Sequence, residues 1–105
     1  MKRLVFAEPA ARDLEGIIDY IALDNAAAAE GVYSRIVETA DRLRHFPELG
    51  RPGRLPATRE LSVSALPYLI VYEADPETVT ILAVFHTSRD LARALAEREQ
   101  ERKPE

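Results

Sequence analysis

Three strand-like runs in the second half of the chain constrain the fold most. They cover residues 59–63, 68–73 and 79–86, and the last two are rich in β-branched and aromatic side chains. Only a few residues separate neighbouring runs, with Pro67 in the first link and Pro76 in the second. Such short links predict antiparallel strand pairs. Because residues 68–72 are continuously apolar, we expect the middle run to be a central strand covered on both faces.

The first half of the chain reads as a short strand and two helices. After the extended run 4–7, apolar side chains recur at helical spacing: Leu14, Ile17, Ile18 and Ile21. A second helix is predicted over residues 26–46, with Asn25 as a candidate N-cap. The connection between them is short, so we expect an antiparallel helix hairpin. A loop rich in Pro and Gly follows, in which we expect no regular structure.

A last helix is predicted after Asp90. Residues 98–105 offer no apolar side chain to bury. We therefore expect one domain over residues 1–97 and a charged C-terminal tail, 98–105, that frays. The predicted class is α+β in the order β-α-α-β-β-β-α, with the helix hairpin packed on a small, mainly antiparallel sheet. Val79, Ile81, Ala83 and Phe85 alternate along the last strand, which predicts one shared face.

Composition argues against several kinds of site. The sequence has no Cys and two His, His45 and His86, so it predicts no disulfide and no metal site. It contains no P-loop and no Gly-rich dinucleotide turn, and we expect no cofactor. No apolar run approaches the roughly 20 residues of a membrane span, and the N-terminal apolar run is too short for a signal peptide. We expect no membrane association and a cytoplasmic location.

The charge is unevenly distributed along the chain. The net charge of −4 argues against non-specific binding of nucleic acid. Residues 42–59 nevertheless carry five arginines against the single acid Glu48. The Pro/Gly-rich loop in this segment predicts that Arg51 and Arg54 face an anionic partner, although the loop is equally explained as a helix exit.

Two further groups of residues are candidates for contacts with a partner. His86 and Arg89 follow the last strand, where they either contact a partner or stabilise the turn. We expect Arg51, Arg54, His86 and Arg89 to form one basic surface. Tyr68 and Tyr72 lie four residues apart on one strand, so they pack together in the core or, on a bare face, form a stacking surface for bases.

Several motifs occur in an order typical of one family. They are residues 10–21 after the opening strand, Phe46-Pro47-x-x-Gly50-Arg51, Arg59-Glu60-Leu61, residues 68–72, and the ending His86-x-x-Arg89-Asp90. With this order and spacing the chain resembles the ParE/RelE superfamily, the toxins of bacterial type II toxin–antitoxin systems that are also called plasmid stabilisation proteins.

The resemblance implies one of two activities. ParE-like members inhibit DNA gyrase and are not enzymes, whereas RelE-like members are ribosome-dependent mRNA endonucleases. The nuclease branch needs cations on the sheet, but the two lysines, Lys2 and Lys103, lie outside the predicted core. The ParE-like branch is therefore favoured and no catalytic residue is assigned. For the endoribonuclease alternative the candidates are His86, Arg51, Arg59, Arg89 and Tyr72. A degenerate toxin that only binds its antitoxin is a third possibility.

The resemblance also implies a cognate antitoxin and a hetero-oligomeric toxin–antitoxin complex. Antitoxins of this class typically lay a C-terminal arm along the toxin and bury apolar surface. The candidate contacts lie on the helix hairpin: Ile18, Ile21, Val32, Tyr33 and Ile36. Packing in the core is the alternative for each of them.

Overall fold

The computed structural model describes residues 1–102 as a five-stranded sheet between a helix hairpin and a third helix. In chain order the elements are β1 (Arg3–Phe6), α1 (Glu8–Ala22), α2 (Ala26–Arg42), β2 (Arg51–Pro52), β3 (Arg59–Ser62), β4 (Tyr68–Ala74), β5 (Thr78–His86) and α3 (Leu91–Arg102). The α+β class and the predicted order are confirmed. The addition is β2, a two-residue strand inside the segment where we expected an irregular loop.

Both helices of the hairpin begin at local sequence signals, and the predicted Asn25 cap is one of them. Pro9 lies in the first turn of α1, where its missing N–H costs nothing. The Asn25 side chain accepts a hydrogen bond from the Ala28 N–H at 3.0 Å and begins α2. The helix ends at Arg42, earlier than predicted, because the next N–H groups bond three residues back and tighten the chain into turns. No helix in residues 1–102 has the length and apolar character to cross a membrane.

The sheet has the order β1-β5-β4-β3-β2, and β1 pairs with β5 in parallel while the other pairs are antiparallel. β4 is the central strand, and residues 68–72 are buried on both faces as predicted. One face packs on the hairpin through Leu14, Ile36, Tyr68, Ile70, Tyr72, Val79, Ile81 and Val84. The other face packs on α3 through Leu69, Val71, Leu82, Ala83, Phe85, Ala94 and Leu95.

A β-bulge in β5 changes which residues share a face. Val71 pairs with Ala83 but Tyr72 pairs with Ile81, so Leu82 is an extra residue in the ladder. Ile81 consequently faces the hairpin, whereas Ala83 and Phe85 face α3. The predicted single face for the alternating residues of β5 is therefore wrong.

The predicted tail, residues 98–105, is described only in part. Residues 98–102 continue α3, and residues 103–105, including Lys103, lie outside the described part of the chain. The Arg98 guanidinium donates to both carboxylate oxygens of Asp13 at 2.9 and 3.1 Å and to the Leu82 carbonyl at 2.8 Å. Asp13 also accepts from the Val84 N–H at 3.0 Å. This polar network, rather than apolar burial, holds the last turns of the helix.

Candidate functional site

Arg51 and Arg54 lie together around the carboxylate of Glu60. One Glu60 oxygen is 3.4 Å from an Arg51 guanidinium nitrogen and 3.3 Å from one of Arg54. The other oxygen accepts from the Arg54 backbone N–H at 2.9 Å. The Glu60 side chain is 1% exposed, while those of Arg51 and Arg54 are 64% and 43% exposed. The motif Arg59-Glu60-Leu61 did not indicate this role of Glu60, which brings the two arginines together.

The start of this loop is fixed against the core by Tyr72. The Tyr72 hydroxyl donates to the Pro47 carbonyl at 2.7 Å and accepts from the Gly50 N–H at 2.9 Å. A Cβ at Gly50 would lie 2.7 Å from that hydroxyl and 2.9 Å from the Glu60 carbonyl oxygen, so only glycine fits. Arg59 donates to the Gly50 carbonyl at 2.7 Å. Burial raises the pKa of Tyr72, against the opposing effects of the Gly50 hydrogen bond and the Arg59 charge.

The second half of the loop closes on itself. The Gly53 N–H donates to the Thr58 carbonyl at 2.8 Å, and the Thr58 hydroxyl donates to the Leu55 carbonyl at 2.7 Å. Thr58 is buried, and Ala57 takes a left-handed backbone conformation with φ 62°. Leu55 packs against the cluster under α3. The arginines therefore extend from a loop that is attached to the core on both sides.

His86 and Arg89 have different surroundings. The His86 ring meets the Tyr68 ring edge-on at 5.3 Å between centroids, and its Nδ1 accepts from the Ser88 N–H at 3.0 Å. Arg89 places its guanidinium carbon 4.9 Å from the centroid of the Phe85 ring. His86 therefore stabilises its own turn on the hairpin face, whereas Arg89 covers a residue of the opposite face.

The predicted single basic surface is wrong, because Arg51 and His86 lie on opposite faces of the sheet. Arg51 pairs with Glu60, which pairs with Val71 on the face under α3. His86 pairs with Tyr68, which belongs to the face under the hairpin. Arg51 and Arg54 form one group around Glu60, and Arg89 lies over Phe85 on that same face of the sheet, whereas His86 lies on the other face.

The two tyrosines form no stacking surface. Tyr68 is 8% exposed and Tyr72 is 0% exposed, and both lie in the core under the hairpin. Burial raises the pKa of Tyr68 as well. Core packing, the simpler of the two predicted explanations, is the one that the structure supports.

The helix hairpin carries an apolar groove of about 420 Å³. Its lining consists of Phe6, Ala11, Leu14, Glu15, Ile18, Tyr33 and Val37. Of the predicted antitoxin contacts, Ile18 and Tyr33 line this groove, while Ile21 and Val32 are half-buried. Ile36 is 0% exposed in the core and offers no surface, so it does not fit the predicted contact. Within residues 1–102, no three His, Asp or Glu side chains are grouped to hold a metal ion.

Comparison with known proteins identifies the family. The model of the family described as "ParE toxin of type II toxin-antitoxin system, parDE" matches residues 4–91. The chain belongs to the ParE toxin family. The predicted membership is thereby confirmed: this ParE-family protein is a toxin of a type II toxin–antitoxin system, and the family implies an antitoxin partner.

Individual relatives agree with this assignment. The toxin is 38% identical over 94 residues to "Putative toxin Y4kP" of Sinorhizobium fredii, covering 90% of this chain and 97% of that protein. It is 34% identical over 89 residues to "Toxin RelE2" of Caulobacter vibrioides, covering 85% and 99%. A solved structure described as "Chromosomal ParDE TA system from P. aeruginosa" is similar with a TM-score of 0.73 at 27% identity, covering 82% of this chain and 96% of that chain.

Proposed function

We propose that this ParE-family toxin inhibits DNA gyrase and does not cleave mRNA. The observation that carries the proposal is the match of the ParE family model to residues 4–91. The arrangement of the nuclease candidates supports it. General acid–base catalysis needs each catalytic group within hydrogen-bond reach, about 2.6–3.2 Å between heavy atoms, of the substrate atom that gives or takes the proton. Arg51 and His86 lie on opposite faces of the sheet, so they cannot act on one phosphate together.

The remaining nuclease candidates have structural partners. The buried Tyr72 hydroxyl serves two backbone groups of the loop, and Arg59 donates to the Gly50 carbonyl. Arg89 lies over Phe85. A RelE-like nuclease is the second candidate function, favoured by the 34% identity to the protein named "Toxin RelE2".

We further propose that the antitoxin neutralises the toxin by occupying the apolar groove of the hairpin. Tyr33 is 49% exposed beside Ile18, and Glu15 supplies a charged rim to the apolar lining. A groove of this kind accepts an amphipathic segment whose apolar side chains enter it.

The test of the target uses toxin freshly released from its antitoxin. Gyrase supercoiling and cleavage-complex formation are measured beside mRNA cleavage on programmed ribosomes. Gyrase-dependent DNA breaks with intact mRNA are the expected result. Cut mRNA with unaffected gyrase would overturn the proposal in favour of the nuclease, and no effect in either assay would favour a degenerate toxin.

The test of the groove compares two exposed tyrosines of the hairpin. Tyr33→Glu introduces a charge into the groove, whereas Tyr20→Glu changes a residue that is 77% exposed and outside the groove lining. Loss of an aromatic contact at the centre of an interface costs about 2 kcal/mol or more, so we expect Tyr33→Glu to weaken antitoxin binding about thirtyfold. Calorimetric titration should find Tyr20→Glu unchanged. Equal effects of the two substitutions would contradict the assignment.

A further inference from the structure

Among residues 1–102, Glu60 is the one acidic residue that is buried. A buried carboxylate is costly unless cations and hydrogen bonds compensate it. Here the compensation comes from the guanidinium groups of Arg51 and Arg54 and from one backbone N–H. The burial of Glu60 thus fixes the direction in which both arginines leave the loop.

Both arginines keep most of their hydrogen-bonding capacity. A guanidinium has five N–H donors in a planar fork, and Glu60 is approached by one terminal nitrogen of Arg51 and one of Arg54. The two side chains are 64% and 43% exposed, so solvent reaches both guanidinium groups. Such forks are suited to bidentate recognition of a second carboxylate.

We propose that Glu60 is a positioning residue that holds Arg51 and Arg54 as a paired receptor for carboxylate side chains of the target protein. The inference rests on the proposed function, in which that target is a protein. A carboxylate is favoured over a nucleic-acid phosphate as the occupant, because the target in the proposed function is a protein and both guanidinium groups already pair with the carboxylate of Glu60. Recognition is through side chains, since β2 has two residues, one of them Pro52, and cannot pair with a further long strand.

Glu60→Gln separates positioning from charge. The substitution keeps the shape and leaves an oxygen to accept from the Arg54 N–H, but it removes the charge that both guanidinium groups face. If charge alone determined binding, an acidic probe would bind the variant more tightly, because one local negative charge is lost. If Glu60 positions the arginines, the probe binds about tenfold more weakly, the equivalent of one lost charged hydrogen bond.

The probe is a hexaglutamate peptide added to the full chain, followed through the NMR signals of the arginine Nε–H groups. We expect saturable shifts at Arg51 and Arg54 in the wild type, and weaker peptide binding by Glu60→Gln at a temperature at which both proteins are fully folded. Arg54→Lys retains the charge and Glu60 but loses the fork, so it should also bind about tenfold more weakly. Arg93→Lys, at an arginine that is 78% exposed on α3, is the matched control and should bind as wild type does.

Three results would overturn the inference: absence of peptide shifts at the two arginines, tighter or equal binding by Glu60→Gln, or an oligothymidylate that shifts the same signals more strongly than the peptide. If Glu60→Gln does not fold, Arg54→Lys decides alone, and wild-type affinity in that variant overturns the inference. Gyrase assays distinguish it from the proposed function. Unaffected gyrase with the expected peptide results refutes only gyrase as target, whereas equal inhibition by wild type and Glu60→Gln refutes the positioning role.

Discussion

The ion pair between Asp13 and Arg98 connects α1 to α3 past the end of β1, and its removal is a direct test of what holds the C-terminal helix. Both side chains are nearly buried, at 15% and 11% exposure. Arg98→Ala removes hydrogen bonds to both Asp13 oxygens and to the Leu82 carbonyl. Each bond to a charged group contributes about 1.5–3 kcal/mol, but the three share one side chain. We therefore expect a loss of about 3 kcal/mol, the lower end of the range for breaking a buried pair.

The measurement is urea unfolding followed by far-UV circular dichroism. A loss of about 3 kcal/mol is a large fraction of the 5–15 kcal/mol that is typical of a domain, so the midpoint shift should be plain. Arg93→Ala is the control, because its pair with Glu97 is 78% and 62% exposed and should contribute less than about 1 kcal/mol. In a double-mutant cycle with Asp13→Asn we expect a coupling of about 1–3 kcal/mol. If Arg98→Ala costs no more than Arg93→Ala, the network is not what holds α3.

Three further predictions concern the turns and the core. Tyr72→Phe should cost about 1–3 kcal/mol in urea unfolding, because it leaves buried backbone groups unpaired. Because folding raises the pKa of Tyr72, the contribution of this hydroxyl to stability is fully present below the ordinary tyrosine pKa of about 10 and is lost as the pH rises toward the raised value. Tyr72→Phe removes the titrating group, so the variant should lose less stability than the wild type at alkaline pH. Equal slopes of stability against pH in the two proteins would contradict this. Gly50→Ala places a Cβ 2.7 Å from the Tyr72 hydroxyl and should lower the thermal midpoint, whereas Gly16→Ala, with nothing within 4 Å, should raise it. Hydrogen bonds from backbone N–H groups of its turn hold the pKa of the Asp75 carboxyl below the ordinary value, so wild-type stability falls as the pH drops through that lowered value. Asp75→Asn should therefore lose less stability than the wild type in acid unfolding.

The elements could be predicted from the sequence because their signals are local. Helical spacing, the Asn25 cap and the continuous apolar run 68–72 each depend on neighbouring residues alone. The bulge at Leu82 has no such signal. A single extra residue reverses which face every later side chain occupies, and neither Gly nor Pro marks the position. Because the alternation of apolar residues in β5 does not reveal the bulge, it assigns Ala83 and Phe85 to the wrong face.

The buried polar residues were missed for a different reason. Whether Glu60 or Arg98 is buried depends on partners that only the folded chain brings near, and Asp13 is far from Arg98 in the sequence. One indirect signal existed for Glu60. Side chains alternate along a strand, so Glu60 points to the face opposite that of Leu61. The neighbouring central strand was predicted to be covered on both faces, so the face that Glu60 shares was expected to be covered as well. A carboxylate on that face requires a cation within reach, and the adjacent loop supplies two.

The groove and the pair of Arg51 and Arg54 lie on opposite faces of the sheet, which limits how an antitoxin can neutralise this toxin. A segment in the groove contacts β1, α1 and α2, whereas the arginines leave the sheet at β2 on the face under α3. Filling the groove alone therefore leaves the arginine pair uncovered. We expect a complex with a groove-binding antitoxin fragment to bind hexaglutamate with the affinity of the free toxin, measured through the same Nε–H signals. Loss of peptide binding in that complex would contradict the separation of the two surfaces, because it would require the fragment to reach β2 or to displace the loop.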